Sequence, residues 1–287
     1  MKNILLSTLC VVASIACGCQ TVIDVPEELP VSFSASVQEM TKGEAEQTKG
    51  SLWNETGTTK KLSEYTDKFR VSVWNNKNGA SAIPTGTVVS YSGGEWQTAN
   101  KYFWVENVEK TVFAYANLPE SGSSVLCNSK AKLQLSYNVP ETADKQTDIL
   151  LGAYVGKSVE GRADLHFGHP LTSIKFKAGT IAGGVTVNKL SLVKVAASGV
   201  ITLNPDGTLS DWNVNKYDKT VTQSKNGGLG TSSIGEPFLL IPQDLTANPV
   251  RVVLELSDGN IVTSTLSTGK WLAGTTYTYT IDYDKPE

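Results

Sequence analysis

Asp148-Ile-Leu-Leu-Gly-Ala-Tyr-Val-Gly156 and Leu165-His-Phe-Gly-His-Pro-Leu-Thr-Ser-Ile-Lys-Phe-Lys-Ala178 decide the fold. Residues 149–155 form a continuous apolar run, the pattern of a strand buried on both faces. Residues 165–167 alternate into a Gly-His-Pro break. Beyond it Ile174, Phe176 and Ala178 alternate with Lys175 and Lys177, as in a strand with one wet face. Pro170 carries no N–H for a ladder, so no central strand runs straight through it. The break is read as the place where one β-domain hands over to the next.

Outward from this point the same grammar recurs. Residues 31–37, Val-Ser-Phe-Ser-Ala-Ser-Val, alternate over their whole length, as do 69–74. Short strands are expected at 88–91, around Trp96, and at 102–105, 112–116 and 133–137, separated by turn signals such as Ser92-Gly-Gly. A short helical turn fits 141–148. After the break come 185–195, 200–203, 238–241 and a hairpin of 250–256 with 261–266. A final strand at 275–283 sets Tyr277, Tyr279, Ile281 and Tyr283 on one face. Frequent Gly, Thr, Ser and Val, with few runs of good helix formers, favour an all-β protein.

Other pieces of the chain accompany the central stretch in order: Phe33-Ser-Ala, Thr48-Lys-Gly, Tyr102-Phe-Trp, Val112-Phe-Ala-Tyr-Ala, Leu240-Ile-Pro-Gln243 and Trp271-x-x-Gly-x-x-Tyr-x-Tyr-x-Ile281. Together with Gln146-x-Asp148-Ile-Leu-Leu and Leu165-x-Phe-x-His169-Pro-Leu-x-x-Ile174-Lys-Phe, this ordered set resembles the fimbrillin-like lipoproteins, precursors of type V pilus subunits. The expected architecture is two β-sandwich (transthyretin-like) domains in tandem. They follow a lipoprotein signal peptide at 1–19 and a tether at 20–30, and occupy residues 31–168 and 169–287.

The N-terminus fits such a precursor. Lys2 precedes an apolar run from 4 to 16, too short to span a bilayer and shaped as a secretory signal. Small residues stand before both Cys17 and Cys19, and either fits the lipidated cysteine. Acyl chains contribute about 0.8 kcal/mol per buried CH₂, so the lipidated form would be held at the outer membrane. Cys10 leaves with the leader and Cys127 has no partner, so no disulfide framework exists. Cys127 is read as a small apolar filler.

The resemblance implies export, trimming by a protease after a basic residue and polymerisation by strand exchange with other pilus subunits, with adhesion as the output. Carried onto this chain, Val31, Phe33, Ala35 and Val37 mark the displaceable strand, and Tyr277, Tyr279 and Ile281 a C-terminal strand that either donates or completes its own sandwich. Thr-Lys-Gly occurs at both 41–43 and 48–50 in a polar stretch open to proteolysis. Lys49 is the preferred cut, leaving Ser51 first, and Lys42 the second. The family's best-known cuts follow arginine, whereas the first arginine here is Arg70.

Little else suggests chemistry. The net charge of −3, with no basic patch, argues against nucleic acid. His166 and His169, the only two histidines, stand three apart and would point to opposite faces of a strand. His169 is read as a turn residue with a local hydrogen bond. The Gly227-Gly228-Leu-Gly230 loop lacks the strand–turn–helix setting of a phosphate site. Asn204-x-Asp206-Gly is too short for an EF-hand. No Gly-x-Ser-x-Gly elbow is present. No enzyme activity, metal or cofactor is therefore expected. Trp74, Trp104 and Trp271 fall at core phases of strands. Trp53, Trp96 and Trp212 flank turns and are candidates for stacking on a glycan, the alternative being a stand-alone surface lipoprotein.

Overall fold

The computed structural model describes residues 28–42, 58–105, 108–119, 121–157, 162–181, 184–225, 228–229 and 233–283. The described strands begin with β1 (Glu28–Pro30), β2 (Ser32–Gln38), β3 (Thr41–Lys42), β4 (Thr59–Lys61), β5 (Lys68–Asn75), β6 (Ser81–Ser92) and β7 (Glu95–Thr98). Next come β8 (Phe103–Val105), β9 (Glu109–Ala116), β10 (Ser123–Ser129), β11 (Lys132–Asn138), β12 (Leu150–Lys157) and β13 (Arg162–Gly168). Past Pro170 lie β14 (Thr172–Ile181), β15 (Val187–Val195), β16 (Ser198–Leu203), β17 (Asn213–Lys216) and β18 (Lys219–Ser224). The last are β19 (Phe238–Leu240), β20 (Val250–Leu256), β21 (Ile261–Leu266) and β22 (Thr275–Tyr283). Among the described residues the only helical pieces are single 3-10 turns, one at Ala143–Lys145 where a turn is expected.

The first half is not an open sandwich. Its sheet runs β13-β12-β9-β5-β6-β7-β2, and a further β13–β2 pairing closes it into a seven-strand ring, with β4 added on β2. Closure removes the free edges that an open sheet would leave. Inside the ring lie Phe33, Val37, Phe69, Val71, Val89, Trp96, Trp104 and Phe167. The ring is weakest at one seam: β2 meets β7 through the single pair Phe33–Trp96. The expectation of a sandwich fails here because alternation along a strand specifies one buried face, and not whether the sheet folds onto a partner or onto itself.

The second core sits between three four-strand sheets: β10-β11-β16-β17, β19-β14-β22-β3 and β18-β15-β20-β21. It shares a wall with the first. On β9, Val112, Ala114 and Ala116 point into the ring while Phe113 and Tyr115 point into the second core; on β12, Leu150 faces the ring and Leu151 the second core. That is the physical meaning of the continuous apolar run in both strands: each has two dry faces. The boundary at residue 168 therefore divides the chain but not the cores. The hairpin β10–β11, drawn into the first domain by sequence order, pairs with β16 and buries Leu133, Leu135 and Tyr137 in the second core.

Three sequence motifs prove to be braces. Gln146 accepts from the Leu239 amide at 2.7 Å and donates to the Pro140 carbonyl. Gln243, 3% exposed, accepts from the Ala196 amide and donates to the carbonyls of Lys194 and Asn248. It thereby fixes the bend where Lys194 adopts a φ of 71°. Trp271 donates its indole N–H to the Tyr279 hydroxyl at 2.9 Å. Buried polar groups satisfied in this way cost little and specify a single packing.

Candidate functional site

Residues 28–42 are laid across both cores, which makes this segment the place to look for function. β2 contributes a period-2 strand: Phe33 and Val37 are buried inside the ring, and Ala35 lies half-buried between them. Phe33 meets the Phe69 ring edge-on at 5.9 Å and Trp104 at 6.5 Å. Such contacts add about 0.5–1.5 kcal/mol each beyond the area buried. On the outer face, Ser34 donates to Asp164, and the Ser36 hydroxyl lies 2.9 Å from His166 Nδ1. Partial burial lowers the His166 pKa, against the opposing pull of the Asp164 charge. The neutral ring is the form favoured beside the Ser36 hydroxyl.

The backbone of β2 runs parallel to β13, from Ser32 opposite Arg162 to Val37 opposite Phe167. Parallel pairing of two strands this far apart in sequence has no hairpin to enforce it. Three further attachments hold the segment. β1 pairs antiparallel with β8, Glu28 opposite Val105, so the last residues of the expected tether at 20–30 form a strand. Pro30, at its end, sits where a missing N–H is tolerated. β3 pairs parallel with the start of β22, and the Thr41 amide donates to the Gly274 carbonyl at 2.9 Å. Between them sits a clasp at His169.

The His169 side chain is 3% exposed. Its Nε2 lies 2.8 Å from the Gln38 carbonyl and its Nδ1 2.8 Å from an Asp148 carboxylate oxygen. Both partners are acceptors, and the imidazole between them is the group that can donate. Tyr65 approaches it edge-on at 6.5 Å. The expected local turn bond is thus replaced by a long-range one: His169, at the junction between the cores, grips the end of the N-terminal strand. At the surface Lys60 bridges Glu39 at 2.6 Å, and that hydrogen bond raises the Lys60 pKa.

The remaining predicted residues divide plainly. Cys17, Cys19, Lys49 and Trp53 lie outside the described residues. Lys42 ends β3, so its backbone is engaged in a strand. Val31 leads into β2, its amide donating to the Tyr102 carbonyl at 2.9 Å. Tyr277, Tyr279 and Ile281 pair with β14 in parallel register and pack on the second core; Tyr279 stacks on Phe176 at 5.7 Å. Trp96 proves to be mainly a core residue: at 5% exposure it packs on Phe69 at 4.9 Å inside the ring, with only a small part of its surface left at the seam with β2. A turn on each side of β7 misled the reading, since a four-residue strand can still bury its central aromatic. Trp212 is half-buried, tied to the Pro170 carbonyl at 3.1 Å and beside Tyr137. It braces the junction. Cys127 is buried and accepts the Trp74 indole N–H at 3.4 Å.

Sequence reasoning missed the clasp, although both of its side chains stand in the quoted motif. Asp148 and His169 are 21 apart, and only the ring geometry brings them together with Gln38. Among the described residues no cluster of His, Cys, Asp or Glu could hold a metal, and no helix is long and apolar enough to cross a membrane. What the arrangement does is hold the N-terminal segment against both cores.

The profile of a family described as fimbrillin-like matches residues 56–287. No curated protein matches by sequence. Among solved structures, a candidate cell adhesion protein from Bacteroides ovatus is 17% identical, with 89% of this chain and 93% of that one aligned at a TM-score of 0.58. A second, from Bacteroides uniformis, is 13% identical over the same shares at 0.54. At these identities the likeness is one of fold.

Proposed function

The chain belongs to the fimbrillin-like family, and from that premise we propose that it is a non-enzymatic subunit of a cell-surface fimbria, assembled by strand exchange. Membership supports a fimbrial or adhesin-like role at the cell surface. The finer steps are our reading. The precursor is exported and lipidated on Cys17 or Cys19 at the outer membrane, then cut after Lys49 or Lys42. β2 then leaves, and a strand from another subunit takes its place.

The observation that carries this is how β2 is held. It completes the ring through one parallel ladder to β13 and a single pair to β7, and carries the short β4 by three pairs. Its removal leaves the β13 edge without its parallel partner and a slot where Phe33, Ala35 and Val37 lay, which an alternating apolar strand can fill. The family match begins at residue 56, downstream of β2 and of both candidate cuts. Of the two, Lys49 is favoured, because Lys42 is paired with β22 and an extended protease substrate must first be freed from its ladder.

The test is the intact mass of the protein taken from the native cell surface. A species beginning near Ser51 and lacking lipid is expected. A full-length species acylated at Cys17 or Cys19 as the sole form would overturn strand exchange and leave an anchored surface protein.

A further inference from the structure

The β2–β7 seam opens into a cleft of about 790 Å³. Its lining mixes aromatic, basic and hydroxyl-bearing side chains. Tyr91 and Phe103 are 36% and 48% exposed and both line it, so two large aromatic side chains remain wet beside the space. Lys61, Lys101 and Arg162 line it too, against one carboxylate, Glu95. Arg162 is engaged with Asp164 at 3.0 Å, while among the described residues Lys61 and Lys101 make no ion pair. Hydroxyl and amide groups of Ser34, Ser63, Gln97 and Asn100 supply further hydrogen-bonding capacity.

We propose that this cleft binds an acidic saccharide, a chain of sugar rings bearing carboxylates. Flat exposed aromatics suit the apolar faces of sugar rings, and aromatics with a polar rim are the usual furniture of a ligand site. Uncommitted lysines beside them supply the charge complement for a carboxylate, and hydroxyls and amides meet ring hydroxyls. An apolar strand from another subunit would leave Lys61 and Lys101 unanswered; an acidic sugar answers them. The site stands apart from the strand-exchange reading, but β2 forms one wall of it through Phe33 and Ser34. It therefore exists only while β2, or a strand in its place, is seated.

The experiment uses the exported full chain carrying Cys17→Ser and Cys19→Ser, titrated calorimetrically with tetragalacturonate, its neutral methyl ester and a tetraglutamate peptide. The acid should bind at least about tenfold more tightly than the ester, the equivalent of one well-placed ionic contact. Its affinity should fall as salt rises. Lys61→Ala with Lys101→Ala should erase that preference, and Phe103→Leu, which keeps bulk but loses the flat face, should weaken both sugars about fivefold. All these positions are exposed, so folding is preserved. Equal binding of acid and ester, no binding of the acid, or tetraglutamate binding as well as the sugar with no effect of Phe103→Leu would each overturn the proposal.

Discussion

β2 and β22, near the two ends of the chain, are held in different ways. β2 and β22 are both parallel to their main neighbour, both alternate, and both were candidates for exchange. Yet β22, although most of its residues are half-buried or exposed, is tied by its side chains to its own half of the molecule. Tyr279 stacks on Phe176 and holds the Trp271 indole; the Tyr277 hydroxyl accepts from the Leu272 amide; Tyr283 bonds Asp258 and Asn260. β2 has Phe33 and Val37 as its fully buried apolar side chains, and its far side meets β7 at one pair and β4 at three. Length and pattern do not tell the two strands apart; what differs is how their side chains are tied, by hydroxyl and indole hydrogen bonds in β22 and chiefly by two buried apolar residues in β2.

The largest effect expected is from deleting each strand. Removal of residues 275–287 should abolish cooperative folding of the second core, whereas cleavage after Lys49 and release of the N-terminal peptide should leave that core folded. Near-ultraviolet circular dichroism of Trp271 and its surroundings reads the difference; equal collapse of both products would show that the two strands are equally needed by the second core. Next in size is Phe33→Ala, which should weaken the seating of β2 by about 3–5 kcal/mol, as for other buried aromatic truncations. Hydrogen exchange should then quicken across 32–38 and remain unchanged across 275–283.

Asp148→Asn is expected to cost less, about 1–3 kcal/mol, since it loosens one charged partner of a buried ring. Faster exchange confined to 38–42 and its neighbours would locate the loss at the clasp. Smallest is the pH response at Ser36. Burial depresses the His166 pKa below the ordinary 6.5, so the unfolded chain takes up a proton first as pH falls. Stability from this site is present above about 6.5 and drains away as pH drops through the folded-state value. Exchange at 34–37 should therefore quicken between neutral and mildly acidic pH, and His166→Gln should flatten that dependence. A slope unchanged by the substitution would mean that other groups govern it.

Much of this was legible because strands announce themselves by period. The hairpin 250–256 with 261–266 and the terminal strand 275–283 agree with the structure to the residue, since local turn chemistry and alternation fix them. β10 escaped because Val125, Leu126 and Cys127 stand together, and Leu126, 56% exposed, breaks the alternation. Ring closure escaped for a different reason. Whether β2 pairs with β13 depends on the accumulated twist of five intervening strands, which no short window of sequence records. The clasp was hidden likewise: Asp148 and His169 were read, but the carbonyl completing the trio belongs to Gln38, whose side chain carries no signal of it. Trp96 shows the converse, a turn-flanking residue that is nonetheless core.

The Ser34–Asp164 and Ser36–His166 contacts join residues 130 positions apart. Loop-closure entropy makes such a pairing a late event, after hairpins such as β20–β21 have formed. While the chain is intact, its own N-terminus is confined near the slot at an effective concentration on the order of millimolar, and no free neighbour can match that. A single peptide-bond cleavage would abolish the advantage. The contest for the slot would then become bimolecular, its outcome passing from the geometry of one molecule to the local density of its neighbours.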